Sequence, residues 1–453
     1  WEWADHAVLE KDGTYTYGGD HDEYAHDLNF CVDGLLLPNR DLSTSAYEMR
    51  CVYRPITASY VSNNKYSFHN SNFFEDTSKM TFRWEYLQNG EILSEGDFKV
   101  VIPPEGNYTV TLKHPLLNTS KDCFINFYYI DSRTGIEMAR EQLTLCLSVD
   151  RLAKIDADNV AYVEENGKYK ILTNNGDVVF DKQTGKMLSY NIKDNELISQ
   201  DESAQMFVPT IYRAGIDNYM FIDKNWKKLG IDKARVELRA FRCEKLKDKV
   251  QAVTEQRIYL KNKIRFICTT TYDIYGNGCI DVNSILDIAK NYDLPKFGLT
   301  LELPESLRNV LYYGRGELEN YSDFHEHSLI GIYADRVETL QDKYIKPQEC
   351  GNRSEIRWAQ LTDDNGNGIR FVADEKTLNF TAQTYRDEVV ANAKHSKDLI
   401  DENRTIVKID AFVRGIGSNS CGPDTRVEYR HNSVESIDYT FRMVPVIKGE
   451  LIK

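Results

Sequence analysis

The chain contains 453 residues, of which 41% are hydrophobic and 28% are charged. This composition is typical of a folded protein with a packed core and excludes a disordered chain. The 56 basic and 70 acidic side chains leave a net charge of −14, which argues against nucleic acid and anionic membranes as partners. At about 100–200 residues for each domain, the length predicts two or three domains.

Residues 1–52 are rich in loops and do not predict a self-sufficient domain. Their start, WEWADHAVLE, has no initiator Met and lacks both the basic residues and the long apolar run of a secretion signal. We therefore expect a chain that was cut from a longer protein or processed. No apolar run approaches the roughly 18 residues that a membrane-spanning helix needs, so no membrane partner is expected.

Residues 53–150 contain several short stretches typical of strands, including FRWEYLQNGEILSEG with Trp84 near its start. Asn89-Gly90 in this stretch predicts a tight hairpin turn. About seven short strands around a central Trp favour an immunoglobulin-like sandwich, although the cysteine pattern of an inter-sheet disulfide is not evident.

Residues 151–453 are too long for one such module and continue the strand pattern, for example in QAVTEQRIYL and IRFICTTTYDIYGNGCIDVNSILDI. Asn175-Gly176 and Asn277-Gly278 predict further hairpins. Helical periodicity is nearly absent, with one or two short helices expected, for instance around Asn225–Arg235. The prediction is a large two-sheet sandwich, and an all-β chain apart from its first segment.

The nine cysteines form no C-x-x-C pair, so a structural zinc site is not expected. Several lie in apolar stretches, such as Cys146 in LTLCLSV and Cys268 in RFICTT. Buried free thiols in a reducing cytoplasm fit this pattern best.

The segment 17–40, YGGDHDEYAHDLNFCVDGLLLPNR, carries the most specific pattern in the chain. With Trp1-Glu2-Trp3 and Asp5 before it, this segment resembles the end of the catalytic barrel in bacterial β-galactosidases of glycoside hydrolase family 2. The matching positions are Tyr17, Gly18, Gly19, Asp20, Asp27, Phe30, Cys31, Gly34, Leu35 and Arg40. The resemblance spans essentially the whole chain. It implies a remnant of a (β/α)8 barrel over 1–52, an immunoglobulin-like sandwich over 53–150 and a large β-supersandwich over 151–453.

The resemblance also implies a substrate subsite in the first segment. In the family, the Phe of this signature gives a backbone carbonyl to a sodium ion, and the Asn or Asp three residues later gives a side-chain oxygen. Phe30 and Asp33 match these metal ligands, while Asp27 and Trp1 match positions of the galactose subsite. The magnesium ligands of the family lie mostly upstream of this chain. From the residues alone, Phe30 and Trp1 would be interpreted as buried aromatic side chains.

Two later segments resemble loops near the family's active site. YRAGIDN at 212–218 is similar to R-A-P-x-D-N-D and implies that Asp217 and Asn218 contact substrate; the alternative is a plain exit from a strand. GIGSNSCGP at 415–423 is similar to a late loop in which some members carry a Trp, and here Cys421 takes that place. The alternative is a Gly-rich turn with a buried thiol.

Two acidic patterns are interpreted as structural. Glu317 and Glu319 lie in GRGELENY, which resembles G-x-G-P-x-E-N-Y of the same family. On a strand they would face the same side about 7 Å apart, but a structural role is favoured over a catalytic pair. Asp363-Asp364-Asn365-Gly366 resembles the start of a calcium loop, yet its strand-like flanks predict a hairpin turn.

The function implied by the resemblance is retaining hydrolysis of terminal β-galactosides such as lactose in the bacterial cytoplasm. The two catalytic Glu residues of the family lie upstream of Trp1, so no catalytic residue is assigned here and the chain alone is expected to be inactive. Expected partners are the β-galactoside, the missing N-terminal half or subunit, and further copies of the same chain. The alternatives are a non-catalytic carbohydrate-binding or assembly module and an aldose-epimerase-like sandwich, which would need a cleft lined by an acid/base pair such as His and Glu.

Overall fold

The computed structural model describes residues 2–148, 152–155, 159–217, 220–417 and 423–452. The chain divides into two compact units. Unit 1 comprises Trp1–Asp150, Tyr313–Leu318 and Phe324–Tyr333. Unit 2 comprises Arg151–Tyr312, Glu319–Asp323 and Ala334–Lys453. The described helices include none that is long and apolar enough to cross a membrane.

Unit 1 contains one helix and three small antiparallel sheets in its described residues. Its elements are β1 Val8–Leu9, β2 Tyr15–Thr16, α1 Thr44–Val52, β3 Ile56–Ser62, β4 Lys65–Asn70, β5 Met80–Gln88, β6 Glu91–Phe98, β7 Asn107–Thr111, β8 Cys123–Asp131 and β9 Glu137–Cys146. The sheets have the strand orders β1-β2, β3-β4-β7 and β6-β5-β8-β9.

The three- and four-stranded sheets of unit 1 share one apolar core. Phe68 on β4 packs edge-on against Phe82 on β5 and Phe127 on β8, with ring centroids 5.4 and 4.9 Å apart. Trp84 joins the same core and is 7% exposed. The predicted β5–β6 hairpin is confirmed: Asn89 and Gly90 both have positive φ, as a tight primed turn requires.

Helix α1 was not predicted, because nine residues are too few to show a helical period above the surrounding loops. Its buried side chains include Ala46 and Cys51. Glu48 on the outer part of α1 accepts hydrogen bonds from the backbone N–H and the Nδ1 of His327, at 2.9 and 2.6 Å. This contact holds 324–333 against the helix within unit 1. It also lowers the pKa of Glu48, although burial acts in the opposite direction.

Unit 2 contains most of the strands. Its first strands are β10 Ala161–Glu165, β11 Lys168–Thr173, β12 Gly176–Asp181, β13 Met187–Ile192, β14 Asn195–Glu196, β15 Val208–Thr210, β16 Arg235–Lys245, β17 Lys249–Leu260, β18 Lys263–Tyr275, β19 Ile280–Ile288 and β20 Lys296–Pro304. The later strands are β21 Asn309–Gly316, β22 Leu329–Arg336, β23 Arg353–Ile356, β24 Trp358–Thr362, β25 Gly368–Ala373, β26 Leu378–Gln383, β27 Arg404–Val413, β28 Ile437–Ile447 and β29 Glu450–Leu451. The helices are α2 Met220–Leu229 and α3 Asp387–Asn392. The residues of β21 and β22 are divided between the two units.

The strands of unit 2 form two five-stranded sheets and one ten-stranded sheet. Their orders are β10-β11-β12-β13-β14, β15-β20-β27-β26-β23 and β16-β17-β18-β19-β28-β25-β24-β21-β22, with β29 paired to β28. Tyr439 on β28 connects the large sheet to the second five-stranded sheet, since its hydroxyl donates to the Ile409 carbonyl on β27 at 2.8 Å. The predicted all-β class with a large sandwich is confirmed.

The turns of unit 2 are mostly as predicted. Asn277-Gly278 closes the β18–β19 hairpin, with Gly278 at φ 94°. Asp363 caps the β24–β25 turn by accepting from the Asn365 and Asn367 backbone N–H groups at 2.9 and 2.8 Å, so the hairpin interpretation of this calcium-like pattern is confirmed.

One hairpin is shifted from its prediction. Thr173 pairs with Gly176, so the turn lies at 174–175 and not at Asn175-Gly176. A Cβ on Gly176 would lie 2.0 Å from the Asn191 carbonyl oxygen, so glycine is needed here for close approach of the strands.

Helix α2 confirms a short helix in this region, but it spans Met220–Leu229 and not Asn225–Arg235, and Arg235 begins β16. Trp226 on this helix is 1% exposed, and its indole N–H donates to the Asp293 carbonyl at 2.8 Å. A buried indole with a satisfied N–H fixes the helix against the body of unit 2.

Candidate functional site

The predicted sodium ligands lie in a tight, exposed turn of unit 1. The Phe30 backbone N–H donates to the Asp27 carbonyl at 3.1 Å, and Asp27 and Asp33 are exposed. Phe30 is itself 46% exposed, so the interpretation of Phe30 as a buried aromatic is wrong. Trp1, the other aromatic residue assigned to the subsite, lies outside the described residues.

Asp33 lies beside two further carboxyl groups, those of Glu2 and Asp5. Burial and then the neighbouring Asp33 raise the pKa of Glu2. Asp5 is 7% exposed and accepts from the Gly34 backbone N–H at 2.8 Å, yet burial raises its pKa as well. This part of unit 1 therefore concentrates negative charge, which favours cations or donor hydroxyls.

Gly34 explains how the chain brings these acids together. A Cβ at this position would lie 2.8 Å from the Ala4 carbonyl carbon and the Asp5 nitrogen. Because that approach is below any normal contact, a side chain at Gly34 would push 31–36 away from residues 4–5. The glycine of the signature is thus needed for packing inside the barrel segment.

Side-chain ligands for a metal ion are not clustered in the described part of the chain. That part contains no group of three or more His, Cys, Asp or Glu side chains placed to hold a metal ion. Only Phe30 and Asp33 are expected ligands, whereas hard cations prefer about six oxygen donors. The Phe30 carbonyl and the Asp33 side chain would supply two of these donors.

In unit 2, the motif at 212–218 is held by a second motif. The Asp217 backbone N–H donates to Gln348 Oε1 at 3.1 Å, and Lys346 Nζ lies 3.4 Å from Asp217 Oδ1. The Glu349 backbone N–H donates to the Gly215 carbonyl at 3.4 Å. The YRAGIDN and YIKPQE segments therefore pack together, a pairing that the sequence alone does not predict. Asn218 lies outside the described residues.

Arg213, the second residue of this motif, is fully buried. Its guanidinium carbon lies 5.5 Å from the centroid of the Tyr321 ring. A cation over an aromatic face is stabilised more strongly when it is shielded from water, so this contact fixes the start of 213–217. The segment is anchored at both ends, by Tyr321 and by Gln348.

The loop that carries Cys421 is described on both sides of a gap at 418–422. The Ile416 and Gly417 backbone N–H groups donate to the two carboxylate oxygens of Asp323, at 2.8 and 2.9 Å. A Cβ on Gly415 would lie 2.6 Å from the Asp323 carboxylate, so the glycines are needed for this approach. Residues 418–422, including Cys421, lie outside the described residues.

The strand expected for Glu317 and Glu319 ends at Gly316, so the two side chains are not on one strand face. Glu319 is 3% exposed and accepts from the Gly351 backbone N–H at 2.7 Å and from the Tyr344 hydroxyl. Burial, together with Asp342, raises the pKa of Glu319 well above its usual value. These contacts support the structural interpretation of Glu319.

A buried network of charged residues was missed from the sequence. Lys296 pairs with Asp410 at 3.2 Å, and Lys408 pairs with Asp387. Burial acts to raise the pKa of Asp387, but Lys408 and Lys296 outweigh it and the pKa is lowered. The sequence feature that could have revealed this network is Lys and Asp within an apolar strand, as in TIVKIDAFV. A charged side chain in such a strand is buried only when an opposite charge pairs with it.

Three family comparisons cover most of the chain in order. Residues 1–58 match the TIM barrel domain of glycosyl hydrolases family 2, residues 66–145 match β-galactosidase domain 4, and residues 173–443 match the β-galactosidase small chain. The first match confirms the predicted barrel remnant.

Curated relatives agree with these matches. The β-galactosidase of Actinobacillus pleuropneumoniae is 29% identical over 443 residues, covering 95% of this chain and 43% of that protein. Those of Priestia megaterium and Staphylococcus xylosus are each 26% identical and cover 98% of this chain, and 44% and 45% of their own lengths. The chain therefore spans a little under half the length of these relatives.

Among solved structures, a galactose 1-epimerase from Lactobacillus acidophilus covers 63% of the chain at 10% identity with a TM-score of 0.33, which is too low to support an argument. The resemblance to the C-terminal half of glycoside hydrolase family 2 β-galactosidases is confirmed by the family matches and the curated relatives. The chain belongs to the β-galactosidase small chain family.

Proposed function

We propose that the chain is the C-terminal part of a retaining β-galactosidase that hydrolyses terminal β-galactosides such as lactose. The order of the barrel, domain 4 and small chain matches supports this proposal. Retaining hydrolysis needs two carboxyl groups about 5–5.5 Å apart on a rigid scaffold. In this proposal those groups belong to barrel strands outside the 453 residues, as do most magnesium ligands.

The proposed contribution of this chain to the active site comes from two places. In unit 1, Asp27 and Asp33 would accept hydrogen bonds from sugar hydroxyls, and the Phe30 carbonyl and Asp33 would supply part of a sodium site. The cluster of Asp33 with Glu2 and Asp5 supports this role through its negative charge.

In unit 2, Asp217 is proposed to line the mouth of the active site together with Asn218 and Cys421. The contacts of Asp217 with Lys346 and Gln348 support this role, because they fix its position. A fixed carboxylate presents a substrate with a preformed hydrogen-bond acceptor.

Release of nitrophenol from nitrophenyl β-galactoside tests the proposal. The 453-residue chain alone is expected to show no turnover, while the longer source protein that contains it is expected to be active. In that longer protein, Asp33→Ala should weaken turnover, and Asp364→Ala, at an exposed hairpin of unit 2, is the matched control. Turnover that follows the purified 453-residue chain would contradict the assignment of the catalytic carboxyls. An inactive longer protein would favour a non-catalytic module.

The cellular setting and assembly are further parts of the proposal. The eight described cysteines are free, which supports the reducing bacterial cytoplasm as the compartment. The parent enzyme is proposed to be a homo-oligomer, and light scattering of the longer source protein measures its mass directly.

A further inference from the structure

A cavity of about 130 Å³ lies within unit 2, and Tyr212 at the start of the 212–218 motif forms part of its wall. Its walls come from β15 and the residues after it, from 231–236, and from β20, β27 and the start of α3. At about 30 Å³ for each molecule of liquid water, this volume equals roughly four waters. It is smaller than the roughly 300 Å³ of pockets for drug-sized ligands, so it suits only a small molecule.

Tyr212 presents an unsatisfied hydroxyl in this cavity. The residue is 7% exposed, and its hydroxyl forms no hydrogen bond with any described residue. A tyrosine hydroxyl that meets no protein group needs water or a ligand as its hydrogen-bond partner. A ligand in the cavity would supply that partner.

Asp232 provides a second unsatisfied group on the same wall. Its Oδ1 atom is buried and has no hydrogen-bond partner among the described residues. Burial has the largest effect on the pKa of Tyr212 and raises it. The neighbouring carboxylates raise it further, in the order Asp223, Asp387, Asp232 and Glu388. The hydroxyl therefore remains a neutral donor at ordinary pH.

The remaining polar groups of the cavity limit the chemistry of its ligand. Lys408 is paired with Asp387, and Arg386 with Glu302 and Glu402. The Thr210 and Thr300 hydroxyls lie 2.8 Å apart. The carboxylates in the cavity wall repel an anion, while the ammonium group of Lys408 repels a cation. Hydroxyl groups both donate and accept, so a neutral molecule with several of them matches these walls. We propose that this cavity binds a small polyhydroxy compound of about the size of glycerol.

Saturation-transfer NMR on the 453-residue chain tests this with glycerol, glucose and galactose as probes. We expect saturation transfer to glycerol. Tyr212→Phe should weaken the affinity about fivefold, through loss of one neutral hydrogen bond, and Asp232→Asn should weaken it by about tenfold or more. Tyr292→Phe is the matched control, because Tyr292 in unit 2 is equally exposed, at 7%, but does not line the cavity.

Several outcomes would overturn the proposal. One is the absence of saturation transfer from all three probes, which would leave only water in the cavity. Another is that Tyr212→Phe and Tyr292→Phe bind the probes with equal affinity, while both variants unfold at the same temperature as the wild-type chain. Binding of a diamine such as putrescine in place of the polyols would show a cation site. A galactose signal that depends on Asp33 and not on Tyr212 would come from the turn in unit 1 and would count against this cavity.

Discussion

Lys296 on β20 and Asp410 on β27 form an ion pair, with Nζ and Oδ2 3.2 Å apart and both residues no more than 2% exposed. Removing one partner of such a pair leaves a buried charge without compensation. Lys296→Met is therefore expected to lower the free energy of unfolding by about 3–5 kcal/mol in urea titrations.

Two controls accompany this prediction. Lys376→Met removes an exposed pair with Asp438 at nearly the same distance, 3.3 Å, and should cost less than about 1 kcal/mol. The double variant Lys296→Met/Asp410→Leu should recover most of the lost stability, since neither charge remains. Equal effects of Lys296→Met and Lys376→Met would show that burial does not govern this pair.

The buried carboxyl group of Glu319 makes the stability of unit 2 depend on pH. Its pKa is raised in the folded protein above the usual value of 4.5, so folding favours the protonated form. The stabilisation is therefore complete below the unfolded pKa and is lost as the pH rises towards the folded pKa, by about 1.4 kcal/mol for each pH unit. Glu319→Gln keeps a neutral side chain and should remove this dependence, as measured by urea unfolding between pH 4 and 8.

The control for this prediction is Glu317→Gln, the same substitution at an exposed side chain. It is expected to leave the pH profile of the wild-type chain unchanged. If the free energy of unfolding of Glu319→Gln changed with pH in the same way as that of the wild type, Glu319 would be ionised in the folded protein.

The barrel segment should open more easily than the sheets. β1 is a two-residue strand whose Val8 and Leu9 are 57% and 60% exposed, and it pairs only with β2. By contrast, β18 is hydrogen-bonded on both sides, to β17 and β19. We expect amides in 7–11 and 30–37 to exchange with deuterium well before those in 264–271.

An internal reference separates this effect from opening of the whole of unit 1. Strand β8 lies between β5 and β9 in the same unit and should be protected like β18. If 7–11 and 30–37 were protected as strongly as β8, the barrel remnant would be an integral part of the fold.

Galactose binding by the 453-residue chain should not depend on sodium. Phe30 and Asp33 offer only two of the roughly six oxygen ligands that a hard cation needs. Calorimetric titrations with galactose in sodium and in potassium chloride are expected to give the same result, with Asp33→Asn as a further reference. A clear sodium-dependent affinity below about one millimolar would mean that the site is complete without other barrel residues.

The all-β class was readable from the sequence because strand patterns act locally. Alternating residues in β17–β19 and the turn at Asn89-Gly90 determine strands and hairpins within a few positions. Helix α1 was missed, because its nine residues gain their stability from side chains distant in sequence, such as His327. Packing of that kind has no local signal.

The candidate site was predictable only as separate motifs. The resemblance assigned Asp33 and Asp217, but nothing in the sequence indicated that Gln348 would bind the Asp217 backbone or that Glu2 would lie beside Asp33. Tyr212 illustrates the same limit: its place in the wall of a cavity results from the arrangement of five chain segments, which no motif encodes.

Each unit carries one deeply buried tryptophan, and this gives the protein two built-in optical reporters. Trp84 is 7% exposed inside unit 1, and Trp226 is 1% exposed inside unit 2. Trp3, at 66% exposure, emits in contact with solvent and adds a nearly constant background. Indole emission shifts to longer wavelength when water reaches the ring, so Trp84→Phe leaves the signals of Trp226 and the half-buried Trp358 in unit 2. The combined change Trp226→Phe/Trp358→Phe leaves that of Trp84 in unit 1. Intrinsic fluorescence of these two variants can therefore follow the loss of structure in each unit without any added label.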